Sequence, residues 1–221
     1  VSLAALPPEP AKVVDAAPDP ALAAKGSYVC IRDADEYAAW LQKLRSAGRF
    51  AFDTETSSIN AHAAEIVGLS FACVSGEAAY VPLAHRYPGV PQQLDRDAAL
   101  AAIKPLLEDA SIIKIGQHGK YDMHVLAHYG IAMHGYGHDT MLASYVLNST
   151  ATRHDMDSLA QKYLGYTTIK YEEVAGKGSK AILFSQVALD DATRYGAEDA
   201  DITLRLHRVL LPKLQAEPGL L

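Results

Sequence analysis

"FAFDTETSSIN", residues 50–60, sets two acids one residue apart at the end of an apolar run. Side chains at i and i+2 of a strand share a face, so Ala51, Asp53 and Glu55 point one way while Phe50, Phe52 and Thr54 point the other. Asp53 and Glu55 therefore converge. Carboxylates held together repel and raise their own pKa values unless a proton or a cation lies between them, and a divalent metal is the natural occupant. The other reading is a strand that frays into solvent with both acids hydrated, and this stretch alone leaves the two open.

The surrounding sequence places that strand in a sheet. "RFAFDTET" (49–56), "EIVGLSFACV" (65–74) and "AAYVPLA" (78–84) are strand-like runs separated by short polar connections, which suits an antiparallel meander. Upstream, "YVCI" (28–31) reads as a strand, and "DADEYAAWLQKLRSAG" (33–48) as a helix capped by Asp33 and ended by Gly48. Downstream, helical spacing over 96–109, a strand at 111–116 and a helix over 121–130 closed by Gly130 follow. Further helices are expected at 139–149, 156–165 and from about Ser185 to Leu214. This order predicts an α/β fold, a mixed five-stranded sheet flanked by helices. Residues 1–26, rich in Ala and Pro without a sustained period, read as a linker largely outside the core, leaving 27–221 as the domain.

With 20 basic and 26 acidic residues the 221-residue chain has a net charge of −6, which argues against a general nucleic-acid-coating protein but not against a nuclease with a local footprint. Cys30 and Cys73 have no paired-ligand spacing, so a disulfide scaffold and a zinc ribbon are disfavoured and a reducing cytoplasm fits; Cys73 reads as a small core residue. No apolar run approaches a membrane span and no signal peptide is legible. The start at Val1 and the stop after "LPKLQAEPGLL" suggest an excised domain.

Two further acidic motifs bear on the Asp53–Glu55 pair. Asp122, in "GQHGKYDMHVL", stands near the start of a helix, where the helix dipole alone is reason enough for an acid. In "RYGAEDADITLRL", Tyr195 and Asp199 are four apart and share a helix face, while Asp191, Glu198 and Asp201 fit a solvated face and Tyr195 alone fits a core aromatic. Together, four carboxylates and a tyrosine are the inventory of a two-metal phosphoryl-transfer site, with ions roughly 3.5–4 Å apart. Oxygen-only ligands favour magnesium or manganese.

The order DxE, KYD and YxxxD resembles the tyrosine-containing subclass of the DEDD 3′-5′ exonucleases. The strings "GQHGKYD", "HDTMLASYVLNS", "RHDMDSLAQKYL" and "YEEVAGKG" are similar to the proofreading domains of bacterial DNA polymerase I, and the similarity runs from about Tyr28 to Leu214. The resemblance implies an RNase H-like fold, a single-stranded or frayed DNA 3′ end as substrate, release of nucleoside monophosphates, and a linked polymerase domain. It also implies two divalent cations, Mg2+ or Mn2+, with Zn2+ allowed at one site. By the same resemblance, Asp53, Glu55 and Asp199 would bind one ion; Asp53, helped by Asp122, would reach the second. Tyr195 and Glu55 would orient the nucleophile. Ile59 would wedge against the terminal bases, Tyr171 would stack, and Gln117, His118 and Arg153 would contact the sugar-phosphate backbone. His118 and Tyr171 depart from the family's asparagine and phenylalanine, which implies altered affinity more than lost activity. An RNase D-like RNA-trimming exonuclease shares the same acids and tyrosine, and a catalytically silent scaffold domain is the other alternative.

His124, His128, His134 and His138 contain an HxxxH spacing without a following HExxH glutamate, and a solvated face is favoured over zinc. The last two are expected in a Gly-rich loop. "AGKGSK" (175–180) lacks P-loop spacing and reads as a mobile loop; with Arg153, Lys162 and Lys170, its lysines make 151–180 the best candidate for a local basic lip.

Overall fold

The computed structural model describes residues 20–217, 219 and 220, so the expected linker up to residue 19 lies outside the described residues. Its last stretch is docked: Pro20–Ala23 forms a 3-10 turn, and the Arg205 guanidinium donates to the carbonyls of Leu22 (2.8 Å) and Ala24 (2.6 Å).

The elements follow as β1 (Ser27–Cys30), α1 (Ala34–Ala47), β2 (Arg49–Thr56), β3 (Ile66–Val74), β4 (Glu77–Pro82), α2 (Arg96–Leu107), β5 (Ile113–Gly116), α3 (Lys120–His128), β6 (Tyr136–Asp139), α4 (Thr140–Leu147), α5 (Met156–Leu159), α6 (Tyr171–Ala175) and α7 (Leu189–Gln215). Local chemistry sets many of these limits. The Asp33 carboxylate accepts from the N–H groups of Asp35 (2.9 Å) and Glu36 (3.1 Å), two orphan donors of the first turn of α1. Gly48 ends that helix at φ 66°, where a side chain would be strained.

The sheet has six strands in the order β1-β4-β3-β2-β5-β6, one more than the sequence predicts. The meander β2-β3-β4 is antiparallel, while β5 runs parallel to β2, β6 to β5 and β1 to β4. The additional strand is β6, in the stretch expected as a Gly-rich loop. "YGHD" carries no apolar alternation; it is a strand because β5 offers it an edge, and Gly135 at φ 64° lets the chain pass Ile112, whose carbonyl oxygen would lie 2.6 Å from any Cβ there. The expected helix over 156–165 is also divided: α5 passes at Ala160 into a π-helical turn to Leu164.

Strand β2 lies inside the sheet and is covered on both sides. Phe50 and Phe52 enter one core with Leu44 of α1, Ile103 of α2 and Val125 of α3; Ala51 enters the other with Ala192, Ala197 and Ala200 of α7. Helix α7 packs a further side against the α5 region, where Ile202 and Leu206 meet Leu159 and Tyr163. Cys73 is half-buried beside the first core. Among the described residues no helix is long and apolar enough to cross a membrane.

Candidate active site

Alternation along β2 delivers Asp53 and Glu55 to the face that α7 covers. The small residues of α7 allow it to approach closely: a Cβ on Gly196 would stand 2.9 Å from Tyr80 Cδ2 and 3.4 Å from Glu55 Cγ. Gly196 lies between Tyr195 and Asp199, so the same close approach brings both beside the β2 acids. Ligand oxygens of Asp53, Glu55 and Asp199 all lie within 4.8 Å of one another, the one such group of metal-ligating side chains among the described residues.

Burial raises the pKa of all three carboxyls well above the usual range, and their neighbours add to it: Asp122, Glu55 and Asp199 on Asp53, Asp199 and Asp122 on Glu55, and Glu198 on Asp199. Glu55 is buried and its Oε1 has no hydrogen-bond partner. An orphaned carboxylate oxygen beside two more acids is the donor set a hard dication requires, and this group of side chains fits one.

Asp122 stands next to that group. Strand β5 pairs with β2 only as far as Ala51, so the Thr54 N–H has no β5 carbonyl to meet. It donates instead to Asp122 Oδ1 at 3.0 Å, and the Thr54 hydroxyl donates to the same oxygen at 2.5 Å. Burial pushes the Asp122 carboxyl up to about 7 against the opposing effect of those bonds. Oδ2 has no such clamp among the bonds of Thr54, and the Asp122 charge reaches both Asp53 and Glu55.

Tyr195 is half-buried one helical turn from Asp199, and its phenol is held protonated by the Asp199 charge, by burial and by Glu55 and Asp53. Its ring contacts Phe184 (5.9 Å) and Tyr171 (6.0 Å), and Tyr171 stacks on Phe184 at 6.1 Å with 21° between planes. An open groove of about 470 Å³ leads away from Glu55, lined by Ile59, His118, Tyr121, Tyr171, Leu183 and Phe184. Ile59 is 99% exposed and Tyr171 46% exposed, high values for apolar and aromatic side chains beside a polar centre. The Tyr121 hydroxyl bonds to Thr56 Oγ1 and to the Ser58 carbonyl, which ties down the loop carrying Ile59.

The remaining sequence-derived residues divide. His118 borders the groove, exposed, at φ 61°, in the left-handed region where asparagine and histidine are both enriched. Gln117 does not project into the groove: its amide donates to the His154 carbonyl at 3.0 Å and accepts from the Thr140 hydroxyl, so it fastens the 153–155 turn to the end of β5. Arg153 is on that turn, 89% exposed and 3.5 Å from Asp155. The basic lip is largely compensated, with Lys170 on Asp157 (2.6 Å) and Lys177 on Glu172 (3.2 Å). Residues 178–180 form a 3-10 turn. Of the supposed solvated face on α7, only Asp191 is on the surface, paired with Arg194. Glu198 accepts from the Tyr166 hydroxyl and the Ile169 N–H, both at 2.6 Å, and Asp201 forms a buried pair with Arg205 at 2.5 Å.

Sequence reasoning missed Thr54, Gly196, Phe184 and Asp139. Asp139 caps α4 and also accepts from the N–H groups of His118 (3.2 Å) and Gly119 (3.0 Å), which shapes the turn before Asp122. Its position just before "TMLASYVL" is a legible N-cap signal; the double duty is not.

A family profile described as 3′-5′ exonuclease matches residues 28–215. DNA polymerase I of Pseudomonas aeruginosa is 59% identical over 199 residues, covering 89% of this chain and 22% of the relative. The chain spans about a fifth of the length of the curated relatives it matches. Among solved structures, the POL domain of Pol1 from M. smegmatis superposes with a TM-score of 0.65 at 22% identity, over 87% of this chain and 28% of that one. RNase D of Escherichia coli, an exoribonuclease, superposes with a TM-score of 0.63 at 19% identity, over 88% and 47%. These likenesses place the sheet and its helices in the RNase H-like exonuclease fold.

Proposed function

The chain belongs to the 3′-5′ exonuclease family, and from that premise we propose that it removes nucleotides from the 3′ end of single-stranded or frayed DNA as the proofreading unit of a bacterial DNA polymerase I. The observation that carries the reading is the convergence of Asp53, Glu55 and Asp199 from two distant elements, with a Glu55 oxygen left unpartnered at the head of an aromatic-lined groove.

Asp53, Glu55 and Asp199 would hold one divalent cation, and Asp53 with Asp122 a second; magnesium or manganese suits such all-oxygen ligands, and zinc is tolerable at one position. Bound there, the ions would supply positive charge to the scissile phosphate and lower the pKa of the attacking water. The protein's own groups position the reactants. Tyr195 keeps its proton, so it orients the nucleophile as a hydrogen-bonding hydroxyl and not as a base, while Glu55 fixes it from the other side. Tyr171, backed by Phe184, offers a stacking face, and Ile59 separates the terminal bases; stacking of this kind holds any base and reads none. His118 contacts the sugar-phosphate backbone from the groove wall, Arg153 reaches it from the adjoining turn, and Gln117 acts through the peptide it anchors.

The test is incubation with 3′-labelled single-stranded DNA and magnesium, alongside RNA of the same sequence. Immediate release of labelled mononucleotide from DNA, faster than from RNA, is expected. Preference for RNA would replace this reading with an RNase D-like one, and no release from either would make the domain a scaffold. Identity of 59% to a DNA polymerase I favours DNA.

A further inference from the structure

Three histidines stand apart from the carboxylates on the outer side of α3. His124 and His128 are one turn apart on that helix, and His62, in the loop between β2 and β3, has its ring centre 6.0 Å from His124 and 6.4 Å from His128. All three are exposed. At 3.6 residues per turn, positions two apart are roughly 200° apart around a helix, so α3 presents Asp122 inward and these imidazoles outward. The His62 loop is an ordered turn: the His62 N–H donates to Asn60 Oδ1 at 3.1 Å, and Ala63 N–H to the Asn60 carbonyl at 3.0 Å. The HxxxH spacing thus finds its third imidazole upstream. His138 instead lies against His207, ring centres 4.5 Å apart.

We propose that His62, His124 and His128 form a separate site for a transition cation of the Zn2+, Ni2+ or Co2+ type, which links the Ile59 loop to α3. Imidazole suits these ions, whereas the all-oxygen group at Asp53 suits magnesium and manganese, so the two sites select by ligand chemistry. Two imidazoles bound at about 2.0–2.1 Å to one ion have ring centres roughly 5 Å apart, closer than the 6.0 and 6.4 Å that separate His62 from His124 and His128, so the three exposed side chains turn inward to bind and are not gathered as the carboxylates are. Three protein ligands leave the rest of the coordination sphere to water. Because His62 follows Ile59 closely, an ion here restrains the loop that bears the wedge without touching the carboxylates.

Equilibrium dialysis against Zn2+, in excess Mg2+, tests the site on the wild-type protein, on His62→Ala, His124→Ala and His128→Ala, and on Asp53→Asn. One zinc equivalent that persists in Asp53→Asn and is weakened tenfold or more by each histidine substitution is expected. Zinc should also slow amide exchange over 57–65 in the wild type and not in His62→Ala. Unchanged zinc binding in the histidine variants, or its loss in Asp53→Asn, overturns the proposal. Neither result depends on exonuclease activity.

Discussion

Thr54 donates both its N–H and its hydroxyl to one oxygen of Asp122. The residue that separates Asp53 from Glu55 therefore also holds Asp122, and one short stretch of β2 carries or clamps three of the four carboxylates, with Asp199 supplied by α7. Thr54→Val removes the hydroxyl and keeps the β-branched shape. It should cost about 1–2 kcal/mol of stability, measured by denaturant midpoint, and raise several-fold the magnesium needed for half-maximal exonuclease rate. An unchanged magnesium titration would refute a positioning role for Thr54.

The acidic centre predicts a pH dependence in the absence of divalent cations. Its carboxyls have folded pKa values raised by burial and mutual repulsion, Asp122 to about 7. As pH rises from about 4, the unfolded chain loses its protons first, so the folded state loses relative stability; the part due to Asp122 is complete above about pH 7, and the part due to Asp53, Glu55 and Asp199 once their own raised values are passed. Asp53→Asn relieves part of it: in EDTA this variant should melt higher than the wild type at pH 8 and equally at pH 4, each unit of relief being worth about 1.4 kcal/mol. His85 and His207, lowered by burial to about 4, act in the opposite direction, losing stability as pH falls below their usual range, but they do so equally in both proteins. The same variant should lose exonuclease activity by about 1,000-fold or more in magnesium.

Tyr195→Phe deletes a hydroxyl that orients and does not bind the cation. The rate should fall about 10–100-fold, while calorimetric titration with Mn2+ gives wild-type stoichiometry. Loss of a manganese equivalent would instead make Tyr195 a support for Asp199 as a ligand.

Gly196→Ala places a methyl group 2.9 Å from the Tyr80 ring and 3.4 Å from Glu55 Cγ. Tyr80 is fully buried and hydrogen-bonded to His85 at 2.7 Å, so it has little room to yield and α7 must move instead. A loss of about 1–3 kcal/mol in thermal stability is expected, with an activity loss that excess magnesium does not restore. Wild-type activity would show that the helix approach has slack.

Alternation in "FAFDTET", the Asp33 cap and the four-residue spacing of Tyr195 and Asp199 were legible because each is a local property of strand or helix geometry. Strand β6 was not, because its four residues owe their conformation to the β5 edge. Gln117 is expected from the resemblance at the sugar-phosphate backbone; that its amide also lies between the Thr140 hydroxyl and the His154 carbonyl is visible only in the folded chain. Glu198 reads as a surface acid because its partner Tyr166 is distant in sequence; Arg205 stands one helical turn from Asp201, but the burial of that pair is decided only by packing.

By itself, then, the order of residues determined which side chains share a face and which acids can meet, since those follow from backbone periods of two and 3.6. Tertiary structure decided how near they come: the bare flank of Gly196 against Tyr80, the early end of β5 that frees the Thr54 N–H, and the loop that sets His62 over α3. Distances between elements depend on what both surfaces exclude, and no single segment encodes that.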